Sequence, residues 1–121
     1  MGTGSSDEAE FAIAIDRVND VTVLHVRGEI DLDTASQLEA ALLKTASTTE
    51  PVVLDLTDVT FLDSSGLSVL AQCRQRMAGA EGLSSLRLVV TRPAIVRIFE
   101  VTGLSDVFDV FASVDDASRG N

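Results

Sequence analysis

Residues 52–67 read Val52-Val53-Leu54-Asp55-Leu56-Thr57-Asp58-Val59-Thr60-Phe61-Leu62-Asp63-Ser64-Ser65-Gly66-Leu67. Val52 to Leu56 is almost continuously apolar, the pattern of a central strand covered on both faces. A loop follows that is expected to carry Phe61 and Leu62 inward. From about Ser65 to Ala80 the apolar residues Leu67, Leu70, Cys73 and Met77, with Val69 beside them, recur at helical spacing. Gly79 and Gly82 mark the helix end. The stretch is therefore strand, junction, helix. It sets a hydroxyl, Ser64, between an acid and a small residue where the chain leaves a sheet. A helix start carries free amides and a partial positive charge. Ser64 or Ser65 can cap the helix, which contributes about 1 kcal/mol and needs only one of them. The other hydroxyl is then available, and Gly66 is expected to remove side-chain bulk from its approach.

Outward from this junction the chain alternates. Phe11 to Arg17 and Val21 to Arg27 read as two strands joined by the Asn19-Asp20 turn. In the second, Val21, Val23 and His25 share one face, and Leu24 and Val26 the other. Gly28-Glu29-Ile30-Asp31 closes it. A helix is expected from Asp33 or Thr34, with Thr34 and Gln37 at capping-box spacing and Ala35, Leu38, Ala41, Leu42 and Thr45 as its buried stripe. After the second helix come a strand over Leu86–Val90, a helix opened by Pro93 and closed by Gly103-Leu104, and a short strand over Val107–Phe111. Ser113 and the acids after it can begin a fourth helix of about two turns. The order predicts an α/β fold: a single mixed β-sheet of about five strands packed against three to four helices. Right-handed crossovers would bring Gly28–Asp31 and Asp63–Gly66 to one rim.

At 121 residues the chain is long enough for one domain with its own core. Residues 1–10 read as a disordered Gly/Ser and acidic arm, and 11–121 as the domain. The arm's Met1–Ser6 fits the short myristoylation pattern, which such arms also produce by accident. The net charge of −10 argues against direct contact with nucleic acid or an anionic membrane, and five Phe without Trp or Tyr are too few for a base-stacking surface. Arg74, Arg76 and Arg87 make too thin a trio for a phosphate backbone. A basic protein partner suits the charge better. One cysteine forbids an internal disulfide, and the lack of a signal peptide points to a reducing cytoplasm. No apolar run approaches the ~20 residues of a membrane span.

Other chemistry-bearing residues have plain readings. His25, the one histidine, lies mid-strand without a cysteine or carboxylate at ligand spacing, so no zinc site is expected. A hydrolase elbow needs a glycine before the serine, which Asp63-Ser64-Ser65-Gly66 lacks. No catalytic residue is assigned. Cys73 falls on an apolar stripe and is expected to be a buried, inert thiol. Asp55, inside an apolar run, must reach the rim or find a donor.

The run Val52–Leu56, then Val59 and Phe61-Leu62-Asp63-Ser64-Ser65-Gly66-Leu67, resembles the signature of the STAS domain family, and more narrowly that of stand-alone bacterial anti-sigma factor antagonists. Gly28-Glu29-Ile30-Asp31, Arg92-Pro93, Ile95–Phe99 and Gly103-Leu104 agree with it, and the likeness spans about residues 11–112. It implies a STAS-like fold and a regulatory protein that is not an enzyme and holds no cofactor or metal. It implies partner switching. The unphosphorylated form binds an anti-sigma factor with serine kinase activity and frees a sigma factor. The kinase, using ATP and magnesium, phosphorylates Ser64 and the complex separates. A PP2C-like phosphatase resets the switch. The partner surface expected on this basis is Glu29, Asp31, Asp33, Thr34, Asp63, Ser64, Ser65, Gly66 and Leu67. The short last segment departs from the longer final helix usual in the family. A phosphate adds about −1.5 to −2 charge. A partner acid ~5 Å away would be repelled by on the order of 3 kcal/mol per unit charge, roughly a hundredfold or more in affinity. Two other readings remain at this point: a ligand-sensing module binding a nucleotide or anion on the same rim, and a scaffold subunit of a signalling assembly.

Overall fold

A computed structural model of the chain describes residues 10–45, 50–78 and 86–120. The arm before residue 10 and the helix-ending Gly79 and Gly82 lie outside the described residues. Strands β1 (Ala12–Val18) and β2 (Val21–Ile30) lead into helix α1 (Leu32–Thr45). Strand β3 (Val52–Leu62), helix α2 (Ser64–Ala78), strand β4 (Leu86–Val89) and helix α3 (Pro93–Thr102) follow. A 3-10 turn (Leu104–Asp106), strand β5 (Asp109–Phe111) and helix α4 (Val114–Arg119) are the last elements among the described residues. The sheet runs β1-β2-β3-β4-β5. Among the described residues only the β1–β2 pair is antiparallel; the others are parallel. The mixed sheet expected from the alternation is therefore present.

Side-chain alternation divides the core. Leu24, Val26, Leu54 and Leu56 point to one face, where Leu38 and Leu42 of α1, Leu70, Cys73 and Met77 of α2, and Ile95 and Phe99 of α3 bury them. Val23, Val53 and Val89 point to the other face and pack with Ala117 of α4. That helix is short but tied down: Ser113 Oγ accepts from the amide of Asp116, and Arg87 Nη1 donates to the carbonyl of Ala117 at 2.8 Å. Arg87 therefore serves α4 and forms no patch with Arg74 and Arg76 on α2.

The β1–β2 turn places Asn19 and Asp20 at φ of 50° and 66°, the left-handed pair that a two-residue hairpin needs. Gly28 adopts φ +98°, and a Cβ there would lie 2.7 Å from the carbonyl oxygen of Glu10. The β2–β3 register shifts on either side of it, between His25 and Arg27 and between Gly28 and Glu29.

Several boundaries differ from the sequence expectation. Strand β3 continues through Thr57, Asp58 and Thr60 to Leu62; polar residues on its half-open later portion disguise it as a loop. The same alternation buries Leu62 to 4% exposure but turns Phe61 outward at 48%, so Phe61 does not join the core. Helix α1 begins at Leu32, ahead of Asp33. The last strand begins at Asp109, because residues 104–106 coil into a 3-10 turn that drops Phe108 edge-on against Phe99, with ring centres 6.1 Å apart.

Candidate functional site

The ends of β2 and β3 set the site. Glu29 pairs with Phe61 and Ile30 with Leu62, and the amide of Asp63 donates to the carbonyl of Ile30 at 3.2 Å. The two strand-to-helix loops are thereby held side by side on one rim, as the crossover argument requires.

Each loop delivers an aspartate as the cap of its helix. Asp31 Oδ1 accepts from the amides of Asp33 and Thr34 at 3.0 and 3.1 Å. Thr34 reciprocates: its Oγ1 accepts from the amide of Asp31 at 2.9 Å and donates to the carbonyl of Glu29 at 2.8 Å. The capping box is thus Asp31 with Thr34, not Thr34 with Gln37, because the helix starts earlier. Asp63 Oδ1 accepts from the amides of Ser65 and Gly66 at 2.9 and 3.2 Å. A carboxylate in that place satisfies two orphan amides and complements the helix dipole. The cap is therefore Asp63 rather than either serine. Ser64 becomes the first residue of α2, exposed, and Ser65 is half-buried. Neither hydroxyl is needed for helix initiation.

Gly66 is buried. A Cβ built there would sit 2.5 Å from Leu62 Cδ1 and 2.6 Å from Ile30 Cγ2. Its missing side chain lets α2 lie against the sheet; it does not clear a path to Ser64. Leu67, half-buried, also packs on the core.

Glu29 and Asp33 are exposed, and Asp31, Thr34 and Asp63 are half-buried. The rim gathers four carboxylates, those of Glu29, Asp31, Asp33 and Asp63. Among the described residues, the ion pairs are Arg17–Glu50 and Arg119–Asp115, and the His25 ring lies against the carboxylates of Asp16 and Asp55. None of them neutralises the rim. An anion arriving at the start of α2 meets the Asp63 carboxylate on the first-turn amides, not free amides. Two rim residues escaped the sequence reading: Leu32, the first residue of α1, 75% exposed, and Phe61. The visible signal for Leu32 was its place directly after a capping aspartate; for Phe61 it was the strict alternation with Leu62.

The remaining polar residues have structural tasks. His25 Nδ1 donates to Asp55 Oδ2 at 2.7 Å, and Asp55 Oδ1 accepts from the amide of Thr57 at 3.0 Å and from its hydroxyl. Asp55 has thus found donors, on the sheet face opposite α2, and His25 is not a base for Ser64. Among the described residues no group of three or more His, Cys, Asp or Glu is placed to hold a metal ion. Cys73 is fully buried, and its thiol is pushed up to about 11, by burial first and by the charge of Glu39 second. No helix among the described residues is long and apolar enough to cross a membrane.

The STAS domain profile matches residues 12–117. The chain belongs to the STAS domain family. Within that family it is 38% identical over 104 residues to the anti-sigma-F factor antagonist RsfB of Mycobacterium tuberculosis, covering 84% of this chain and 82% of that protein. The anti-sigma-B factor antagonist of Listeria monocytogenes is 34% identical over 108 residues, covering 88% and 91%. A crystal structure of an anti-sigma factor antagonist from Mycobacterium paratuberculosis superposes with a TM-score of 0.80 at 31% identity, over 93% of this STAS chain and 94% of that one.

Proposed function

We propose that this STAS chain is an anti-sigma factor antagonist whose binding is switched off by phosphate on Ser64. The unphosphorylated rim binds an anti-sigma factor and so releases a sigma factor. The serine kinase activity of that partner transfers phosphate from ATP to Ser64 and ends the complex; a PP2C-like phosphatase restores it. The domain at work is residues 11–121, in the cytoplasm, with residues 1–10 as a passive arm. The partner surface comprises Glu29, Asp31, Asp33, Thr34, Asp63, Ser64 and Ser65, with Gly66 and Leu67 holding α2 in place beneath it.

The observation that carries this reading is the division of labour at the start of α2. Asp63 holds the two first-turn amides, which leaves the exposed Ser64 hydroxyl chemically idle beside an acidic rim. The relatives named as antagonists of anti-sigma factors support the same reading. Phosphate adds about −1.5 to −2 charge to a rim whose carboxylates pair with no cation among the described residues. Docked against a partner, that added charge is repelled by any acid and must desolvate.

Incubation with the cognate anti-sigma kinase, ATP and magnesium tests it. Mass spectrometry is expected to place one phosphate on Ser64 and none on a Ser64→Ala variant. In the same titration, Ser64→Asp is expected to bind that kinase at least tenfold more weakly than wild type. Phosphate elsewhere, or equal binding by Ser64→Asp, refutes the switch.

A further inference from the structure

We propose that Leu32 and Phe61 are the apolar anchors of the rim and enter a hydrophobic pocket of the anti-sigma factor that is bordered by Lys and Arg side chains. The inference rests on the function proposed above and identifies what that surface grips.

Leu32 has no structural reason to be apolar. It is the first residue of α1 and stays 75% exposed, so it adds little to the core; proline, acids and polar residues suit that position. Its place mirrors that of Ser64: Asp31 caps α1 one residue before Leu32, and Asp63 caps α2 one residue before Ser64. Because Ile30 pairs with Leu62, the two capped helix starts leave adjacent strand ends, Leu32 on one and Ser64 on the other. Phe61 pairs with Glu29 across the same strand ends and is 48% exposed. The same two strand ends and helix starts carry the carboxylates of Glu29, Asp31, Asp33 and Asp63, engaged in no ion pair among the described residues.

An exposed aliphatic and an exposed aromatic residue on a rim of unneutralised acids suit a binding hot spot: apolar anchors that lose their water and charges that steer and orient. Those charges fix the sign of the partner's edge. Its basic groups would compensate the four carboxylates, whereas a phosphate on Ser64 would have to give up its water within the contact beside the fixed carboxylate of Asp63, a cost those groups would have to outweigh.

Titration of the cognate anti-sigma factor by calorimetry separates the parts. Leu32→Gln is expected to weaken binding about ten- to hundredfold, as burial of one aliphatic side chain allows. Leu32→Met should restore most of it, and Phe61→Gln should weaken it comparably. Asp33→Asn should flatten the salt dependence, whereas Leu32→Gln should leave the salt slope unchanged. Thermal melts check that each variant folds; Leu32, being exposed, should leave the melt unmoved. If wild type binds and Ser64→Asp does not, while Leu32→Gln and Phe61→Gln bind like wild type, the switch stands and the anchors are refuted. If wild type does not bind the anti-sigma factor at all, both fall. Concentration-dependent dimerisation of the free chain that Leu32→Gln abolishes would assign the patch to a second copy and overturn the proposal.

Discussion

Replacing Gly66 by alanine tests whether that glycine is there for packing or for access. The new methyl would stand 2.5 Å from Leu62 Cδ1 and 2.6 Å from Ile30 Cγ2, where real Cβ contacts do not form. Leu62 can swing its terminal carbon, but it is 4% exposed, and the Ile30 methyl belongs to a fully buried side chain that its branched Cβ holds stiff. Overpacking of this kind costs about 1–3 kcal/mol. Alanine recovers at most about 1 kcal/mol of helix propensity over glycine, and less in a first turn. The net expectation is a loss of about 1–2 kcal/mol. With an unfolding entropy near 2.1 cal/mol/K per residue, that lowers Tm by roughly 4–8 °C for a chain of this size. Urea unfolding and thermal melts read it directly. A double-mutant cycle with Leu62→Ala, which deletes the clashing carbon, should show about 1 kcal/mol of coupling, the glycine substitution being milder once the carbon is gone. If Gly66→Ala is as stable as wild type, or the cycle is additive, the packing argument is wrong. Unchanged stability together with slower phosphorylation of Ser64 would return Gly66 to the access role.

Other expectations concern the same framework. Asp63→Ala should lose about 1 kcal/mol of stability by uncapping α2, whereas Ser64→Ala and Ser65→Ala should each stay within about 0.5 kcal/mol; denaturant midpoints compare the three. Asp55→Ala leaves the amide and hydroxyl of Thr57 and the ring of His25 without their acceptor and should cost about 1–3 kcal/mol. The Cys73 thiol, raised to about 11 from 9.0, keeps its proton in the fold after the unfolded chain has lost it. The native state then binds more protons between those values, so its contribution to stability is whole below pH 9 and declines as pH rises toward 11. Cys73→Ala should be less stable at pH 7 yet show a shallower fall above pH 9, and the native thiol should resist iodoacetamide at pH 8.

The fold was legible because its strands and helices announce themselves through contiguous valines and leucines. Val52–Leu56 could only be a buried central strand, and Pro93 with Gly103 bracket α3 by local backbone chemistry. The faces of β2 followed from alternation alone: Val23 meets α4, and Leu24 and Val26 meet α1 to α3. What misled was competition between residues able to do the same job. Asp31, Asp33 and Thr34 can each cap a helix, as can Asp63, Ser64 and Ser65. Which one does is decided by where the paired strands release the chain, a tertiary fact set by the Ile30–Leu62 register. In the sequence Gly66 passes for open space, because composition cannot distinguish a glycine facing water from one facing Ile30. Residue type alone draws Phe61 inward, whereas the period of two from Leu62 points it outward.

The position of the caps bears on how the switch divides its cost. A phosphate on Ser64 lies next to the fixed carboxylate of Asp63. Two such charges about 6 Å apart in water repel by roughly 0.7 kcal/mol per unit of phosphate charge, so modification should destabilise the free domain by only about 1 kcal/mol. That is small beside the ~5–15 kcal/mol that holds a typical domain together. Under a docked partner the effective dielectric falls to about 20, and the same pair repels about four times more strongly. Because the rim acids are locked by their helices, the free chain cannot turn Asp31 or Asp63 aside to relieve it. The penalty therefore falls mainly on the complex. A thermal melt of the Ser64-phosphorylated chain should show a shift of only a few degrees while binding is lost by a factor of a hundred or more. A phosphorylated chain that unfolds outright would mean that the switch acts by melting α2 instead.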